Sequence, residues 1–235
     1  MESPDVSLAR ASEPNALLEA LALHQRGMFS DAEKIYDHIL LEQPNHADAL
    51  HYLGLFALQT QRPERSPALL RQAIGLNQNV AAYHSNLGLV LFSLNQASTA
   101  IASYDWAIAL QPDYADADYN RAILLSSLRR PDEAVVGYHR VVALRPDHVA
   151  AHAGLGRELL RLGRHEAALV SLDTVIALQP DYAEAVMPER AAVRATGAGQ
   201  PGRCHQQSER RAVPNAVFSG ESRSAPDQPA LLLTC

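Results

Sequence analysis

The chain has 235 residues and a formal net charge of −6, with 47% apolar and 6% aromatic residues. An acidic balance excludes nucleic-acid binding by bulk electrostatics, which needs a basic surface, and two cysteines, Cys204 and Cys235, cannot staple a secreted disulfide domain. No apolar run approaches the roughly 20 residues of a membrane span, and the opening MESPDVSLARASEP has neither the basic start nor the apolar stretch of a signal peptide, so the cytoplasm is the expected compartment.

In chain order, residues 1–12 are polar and are expected to form a flexible N-terminus. An internal repeat follows. It is announced by IALQPDYADA from Ile108, VALRPDHVAA from Val142 and IALQPDYAEA from Ile176, whose starts are 34 residues apart. Extended backwards, the register defines five blocks: 13–46, 47–80, 81–114, 115–148 and 149–182. The eighth residues are Ala20, Gly54, Gly88, Ala122 and Gly156, and the twentieth are Ala32, Ser66, Ala100, Ala134 and Ala168, all small. Small residues at fixed helical positions let two backbones approach closely. The twenty-fourth are Tyr36, Leu70, Tyr104, Tyr138 and Leu172, large enough to fill the space between helices. Pro44, Pro112, Pro146 and Pro180 share the thirty-second column, where proline stops one helix before the next begins.

Within a block the apolar period is helical. Leu87, Leu91 and Leu94 share one face, and Ala100, Ile101, Tyr104, Ala107 and Ile108 mark a second amphipathic helix after a break near Asn95. Pro63 and Pro131 stand where second helices should start. Asp113, Asp147 and Asp181 follow the prolines and are expected to cap the next helix. Each block therefore predicts helix, turn, helix, stop.

The departures carry their own expectations. Glu13, Glu19 and Glu42 make the first block look like a polar cap. Pro67 should make its helix start late or bend. Asp118 and Arg121 replace apolar residues, which predicts a distorted helix or a face presented to a ligand. Trp106 falls in a polar column and should be exposed, as a surface aromatic or a contact point. A sixth block begins over 183–195 and is broken at Pro188. From Thr196 the composition turns to Gly, Pro, Ser, Gln and Arg, so 196–235 is expected to be a disordered tail. The abrupt change mid-helix suggests a frameshifted or otherwise aberrant end of a chain that naturally continues in repeats; a genuine disordered tail is the rival. Either way the fifth block would expose apolar surface, and self-association is expected there. The basic residues, 19 Arg and the single Lys34, fit a GC-rich bacterial genome.

No catalytic constellation is read from the sequence: there is no GxSxG and no P-loop. His148 and His152 lie four apart and His84 shares the column of His152, but the further ligands a zinc site requires are missing, and Cys204 beside His205 lies in the tail. No metal, no cofactor and no enzymatic activity are expected. The sixth column is different. It reads Leu18, Tyr52, Asn86, Asn120 and Gly154, on the side of the first helix expected to face a groove. An Asn amide offers an acceptor and two donors and can clasp a peptide unit whatever its side chain.

The 34-residue period, the small–small–large columns and the proline stop resemble the tetratricopeptide repeat family over 170 of the 235 residues. The resemblance implies an all-α fold, a right-handed superhelical solenoid of stacked antiparallel helix pairs, whose groove binds an extended peptide or a partner's helix. A protein or peptide is thus the expected partner, with no nucleic acid and no membrane. Asn86 and Asn120 would grip the backbone, with Tyr52 in the same column, while His84, Asp118, Arg121 and His152 tune specificity. The block AAYHSNLGLVLFSLNQASTAIASYDWAIALQPDY also resembles the repeat region of O-linked N-acetylglucosamine transferases. That likeness implies an alternative: the truncated recognition arm of such an enzyme, without its catalytic domain.

Overall fold

The computed structural model describes residues 13–60 and 62–182, with residues 187, 190 and 191 beyond them. The expected N-terminal segment, the tail over 196–235, Pro188 and most of the partial sixth helix lie outside the described residues. Among the described residues there are ten α-helices and one 3-10 turn at Pro180–Tyr182, and no strand. They run α1 Glu13–Gln25, α2 Phe29–Glu42, α3 Ala47–Gln59, α4 Ser66–Leu76, α5 Ala81–Ser93, α6 Ala97–Leu110, α7 Ala115–Ser127, α8 Pro131–Leu144, α9 Val149–Arg161 and α10 His165–Leu178.

Each odd helix starts 34 residues after the previous odd one (13, 47, 81, 115, 149), and the even helices follow the same spacing with one exception. That exception is α4, which starts at Ser66, three residues after Pro63. Pro67 falls in its first turn, where its missing N–H is no loss, and the helix is 11 residues long against 14 for α2. The other replaced positions do not distort anything: α7 keeps the 13-residue length of α3 and α5 although it carries Asp118 and Arg121.

In four of the five pairs the turn uses one column, the fifteenth; Gln61, which holds that column in the other pair, lies outside the described residues. Gly27, Asn95, Arg129 and Gly163 all have positive φ, between 58° and 74°. Glycine takes that conformation freely and asparagine tolerates it, whereas Arg129 holds it at a steric cost. The caps differ from expectation. The N-cap of α7 is Tyr114, with no side-chain cap bond, and that of α9 is His148. Asp113 and Asp147 stand one residue too early. The capping acceptors are histidines instead: His46 Nδ1 accepts from the Ala49 N–H and His148 Nδ1 from the Ala151 N–H, each at 3.2 Å.

The small and large columns meet in space. A Cβ at residue 88 would lie 2.8 Å from Tyr104 Cε1; at residue 54, 3.0 Å from Leu70 Cγ; at residue 156, 2.8 Å from Leu172 Cδ2. Ala20 packs in one apolar cluster with Tyr36 and Phe56. The first helix of a pair thus leaves a hole at its eighth residue, and the twenty-fourth residue of the second helix fills it. Neighbouring pairs join through the same side chains: Leu70 of α4, Leu87 and Leu91 of α5, Tyr104 of α6 and Leu124 of α7 form one cluster. The described residues fall into two compact units that divide after Arg129. In the first, the backbones of α1 and α3, α3 and α5, and α5 and α7 approach one another closely, while those of the even helices do not. The odd helices therefore form the closer-packed inner layer of this unit. In the second, α9 packs against both α8 and α10.

Tyr104 is fully buried and its hydroxyl has no hydrogen-bond partner; burial pushes that phenol above its ordinary pKa. Two variants should therefore move stability against intuition. Gly88→Ala, which improves helix propensity, should destabilise by about 1–3 kcal/mol because the added carbon meets the Tyr104 ring. Tyr104→Phe should stabilise by about 1 kcal/mol, since it deletes an unsatisfied hydroxyl and keeps the ring. Urea unfolding of both variants measures these shifts.

Candidate functional site

The inner helices α3, α5 and α7 carry an unusual number of polar side chains inside the packing. His51, Ser85, Asn86, Asp118 and Asn120 are all buried. Burying them is unfavourable unless each finds a partner, so the partners define what the site can do.

Asn86 and Asn120 were expected on an open face, and the structure corrects this: each is 1% exposed. Asn86 turns toward the preceding inner helix, where its Nδ2 amide lies 2.8 Å from His51 Nε2. The amide donates, so His51 Nε2 must carry the lone pair and the ring must be neutral. Burial, opposed only in part by the Asp48 carboxylate, lowers His51 to about 4. The ring lies between Tyr83, at 4.6 Å between centroids, and Tyr52, at 4.9 Å, and the Tyr83 hydroxyl donates to Asp48. This asparagine is thus bound to its own protein.

The repeat sets a second pair in the same relation. His51 and Asn86 are 35 residues apart, and so are Ser85 and Asn120. In the second pair the side chain on the earlier helix is a serine, too short to do what the imidazole does. Ser85 Oγ and Asn120 Oδ1 are both buried without a hydrogen-bond partner. The next position in the column, Gly154, is occupied differently: a Cβ there would lie 2.6 Å from Tyr138 Cζ, so the tyrosine excludes an asparagine.

The remaining expected site residues divide. His84 and His152 do one structural job, each placing Nε2 2.9 Å from a carbonyl six residues earlier, Gln78 and Pro146. His84 also stacks on Trp106, which is 62% exposed as expected. Asp118 is 3% exposed, which corrects its expected place on a presented face. Arg121 is held by Asp105 at 2.6 Å on the outer helix. Tyr52 is half-buried and lines a cleft.

Sequence reasoning missed that cleft. It has a volume of about 400 Å³ and opens between α1 and α3, with Leu21, Gly27, Phe29, Tyr52 and Leu55 as apolar or aromatic wall. Gln25, Gln59 and His24 complete it. His24 Nε2 lies 2.6 Å from Gln59 Oε1 and its Nδ1 lies 3.4 Å from the Tyr36 hydroxyl. Its only sequence signal is the pair Leu21 and Leu55, in one column of two adjacent first helices.

Among the described residues no group of three or more His, Cys, Asp or Glu could hold a metal ion, and no helix is long and apolar enough to cross a membrane. Cys204 and His205 lie outside the described residues.

Two models of the tetratricopeptide repeat match the chain, one over residues 17–81 and 85–138 and the other over residues 129–187. These matches are to tetratricopeptide repeats in general, with no counterpart of the narrower likeness to glycosyltransferase repeats. No curated protein matches. Solved structures share the fold. The MamA crystal structure is 23% identical, with a TM-score of 0.64 over 70% of this chain and 96% of its own. YrrB, described as a TPR protein with an unusual peptide-binding site, is 22% identical, with a TM-score of 0.62 over 76% and 92%. Pseudomonas aeruginosa pilF is 16% identical, with a TM-score of 0.66 over 80% and 93%. The fold is an all-α solenoid of helix pairs.

The His51 site predicts a pH dependence. Between pH 6.5 and about 4 the unfolded chain binds a proton at residue 51 that the folded chain refuses. Stability contributed by this group is complete above 6.5 and should be lost as pH falls through that window, by roughly 3 kcal/mol in all. Urea unfolding at pH 7 and 4.5 tests this: the wild type should lose more stability than His51→Gln, whose side chain does not titrate.

Proposed function

We propose a function from one premise: the chain belongs to the tetratricopeptide repeat family. It is a protein-interaction scaffold, and it acts by holding an extended peptide along the inner helices of its first unit, without catalysis.

The observation that carries the peptide reading is the unpaired couple of Ser85 Oγ and Asn120 Oδ1. One is a hydroxyl donor and the other an amide acceptor, on adjoining inner helices. A peptide unit is their complement, because its carbonyl accepts from the hydroxyl and its N–H donates to the amide oxygen; both atoms are buried, so α5 and α7 must part locally to admit it. A buried polar couple left unpaired is costly, so a ligand that completes it gains more than a surface hydrogen bond would return. Asn86 has a different role in this scheme. Its bond to His51 ties α3 to α5 and steadies the layer on which the peptide lies. Tyr52 stands one repeat earlier in the same column and presents an aromatic face. His84, Arg121 and His152 are held by their own protein partners at the margins.

The reading makes separable demands on the two asparagines. In titrations of an extended-peptide library, Asn120→Ala should weaken binding by roughly three- to tenfold, the worth of one net hydrogen bond. Asn86→Ala should lower the urea midpoint while leaving the affinity of the folded fraction within about twofold. Unchanged affinity in a folded Asn120→Ala variant rejects the peptide reading.

A further inference from the structure

The α1–α3 cleft has a polar wall with a definite sense. His24 sits at its base with both ring nitrogens engaged. Gln59 presents Oε1 to His24 Nε2, which therefore carries the proton, and the Tyr36 hydroxyl donates to Nδ1. The relay from Tyr36 through His24 to Gln59 consumes the Gln59 carbonyl and fixes the amide's orientation. Gln59 is exposed, and its Nε2 makes no hydrogen bond among the described residues and keeps two N–H donors. Gln25 adds a second amide at the rim, and the rest of the lining is apolar or aromatic. Space opens over Gly27, where nothing lies within 4 Å of a Cβ position.

We propose that this cleft binds a bulky apolar side chain of an extended peptide and that Gln59 Nε2 donates to the peptide carbonyl beside it. The inference rests on the peptide reading above and adds the residue class that the partner must supply. Three features select this occupant. The volume of about 400 Å³ is at the lower end for ligand sites, room for one large side chain with its flanking peptide units. The polar groups at the rim, Gln59 and Gln25, are uncharged amides, and the Gln59 donors suit a neutral carbonyl. Tyr52 joins the cleft to the inner layer, because its ring lies against His51, which receives Asn86. A peptide anchored here therefore leads toward the Ser85–Asn120 couple. A leucine or phenylalanine side chain buried in such a wall also explains how the groove holds one register of a peptide, since backbone bonds alone do not distinguish registers.

The test uses the full chain, isotope-labelled, and two blocked tripeptides, Ac-Ala-Phe-Ala-NH2 and Ac-Ala-Ala-Ala-NH2. Gly27, Leu21 and Leu55 amide signals report the cleft. The phenylalanine peptide should shift them and bind at least tenfold more tightly than the alanine peptide. Gln59→Glu keeps an acceptor for His24 but loses the donors, so it should weaken the phenylalanine peptide about tenfold while leaving the urea midpoint in place. If Gln59→Glu proves unstable, Tyr52→Ala serves as the second variant and should also weaken the phenylalanine peptide by at least threefold. Equal binding of the two peptides, shifts confined to other helices, or full affinity in a folded Gln59→Glu protein each overturn the proposal. Library binding that still depends on Asn120 in any of those cases shows that the cleft inference alone has failed.

Discussion

Everything in this structure depends on a hole and the side chain that fills it. A small eighth residue on the first helix of a pair faces a large twenty-fourth residue on the second, as Gly88 faces Tyr104 and Gly156 faces Leu172. At these two glycines the approach is so close that the Cβ of an alanine would already intrude. Interiors pack at crystal-like density, so this contact sets the spacing of the pair. Once the spacing is set, the turn must close in a short loop, and the left-handed residues at Gly27, Asn95, Arg129 and Gly163 are how it closes. The filling side chain then reaches into the next pair, as the cluster of Leu70, Leu87, Tyr104 and Leu124 shows. One local fit thereby propagates along the chain as nearest-neighbour contacts, which is the physical basis of a repeat protein.

The inner layer adds chemistry to that scaffold. Its helices touch one another across repeats, so their polar side chains are brought within bonding reach although they are 35 residues apart in sequence. Where histidine meets asparagine the pair is satisfied, at His51 and Asn86. Where serine meets asparagine it is left open, at Ser85 and Asn120. The difference is one side chain in length, and it separates a structural bond from a candidate binding rung.

Most of the fold was legible in the sequence because every column has a fixed contact to satisfy. The late start of α4 was legible from Pro67 for the same reason, since a proline's cost depends only on its place in the turn. The caps were misread at Asp113 and Asp147 because a one-residue offset decides whether a side chain reaches the helix N–H groups. The asparagine column was misread more instructively. A residue type tells what bonds are available, but the residue 35 positions earlier decides whether those bonds are already taken. His51 took the amide of Asn86 and nothing took the Oδ1 of Asn120. Trp106 needed no such partner to be placed, and it lies exposed as its polar column implied. The cleft at Leu21 and Leu55 was invisible for another reason: it is a gap between repeats, and gaps have no residue of their own.

The unequal layers of the first unit have a mechanical meaning. Its inner helices approach backbone to backbone from α1 to α7 and its outer helices do not. A bend that opens or closes the spaces between the outer helices separates backbones that do not approach one another closely, whereas sliding the inner row would tear apart the His51–Asn86 bond and its neighbours. The softest deformation is therefore flexure about the inner row as a hinge line, and the stiffness of the unit resides in the same polar contacts that line its candidate site. A ligand that completes the open couple at Ser85 and Asn120 would act as a brace on that hinge line, so occupancy and elasticity are two measures of one set of bonds.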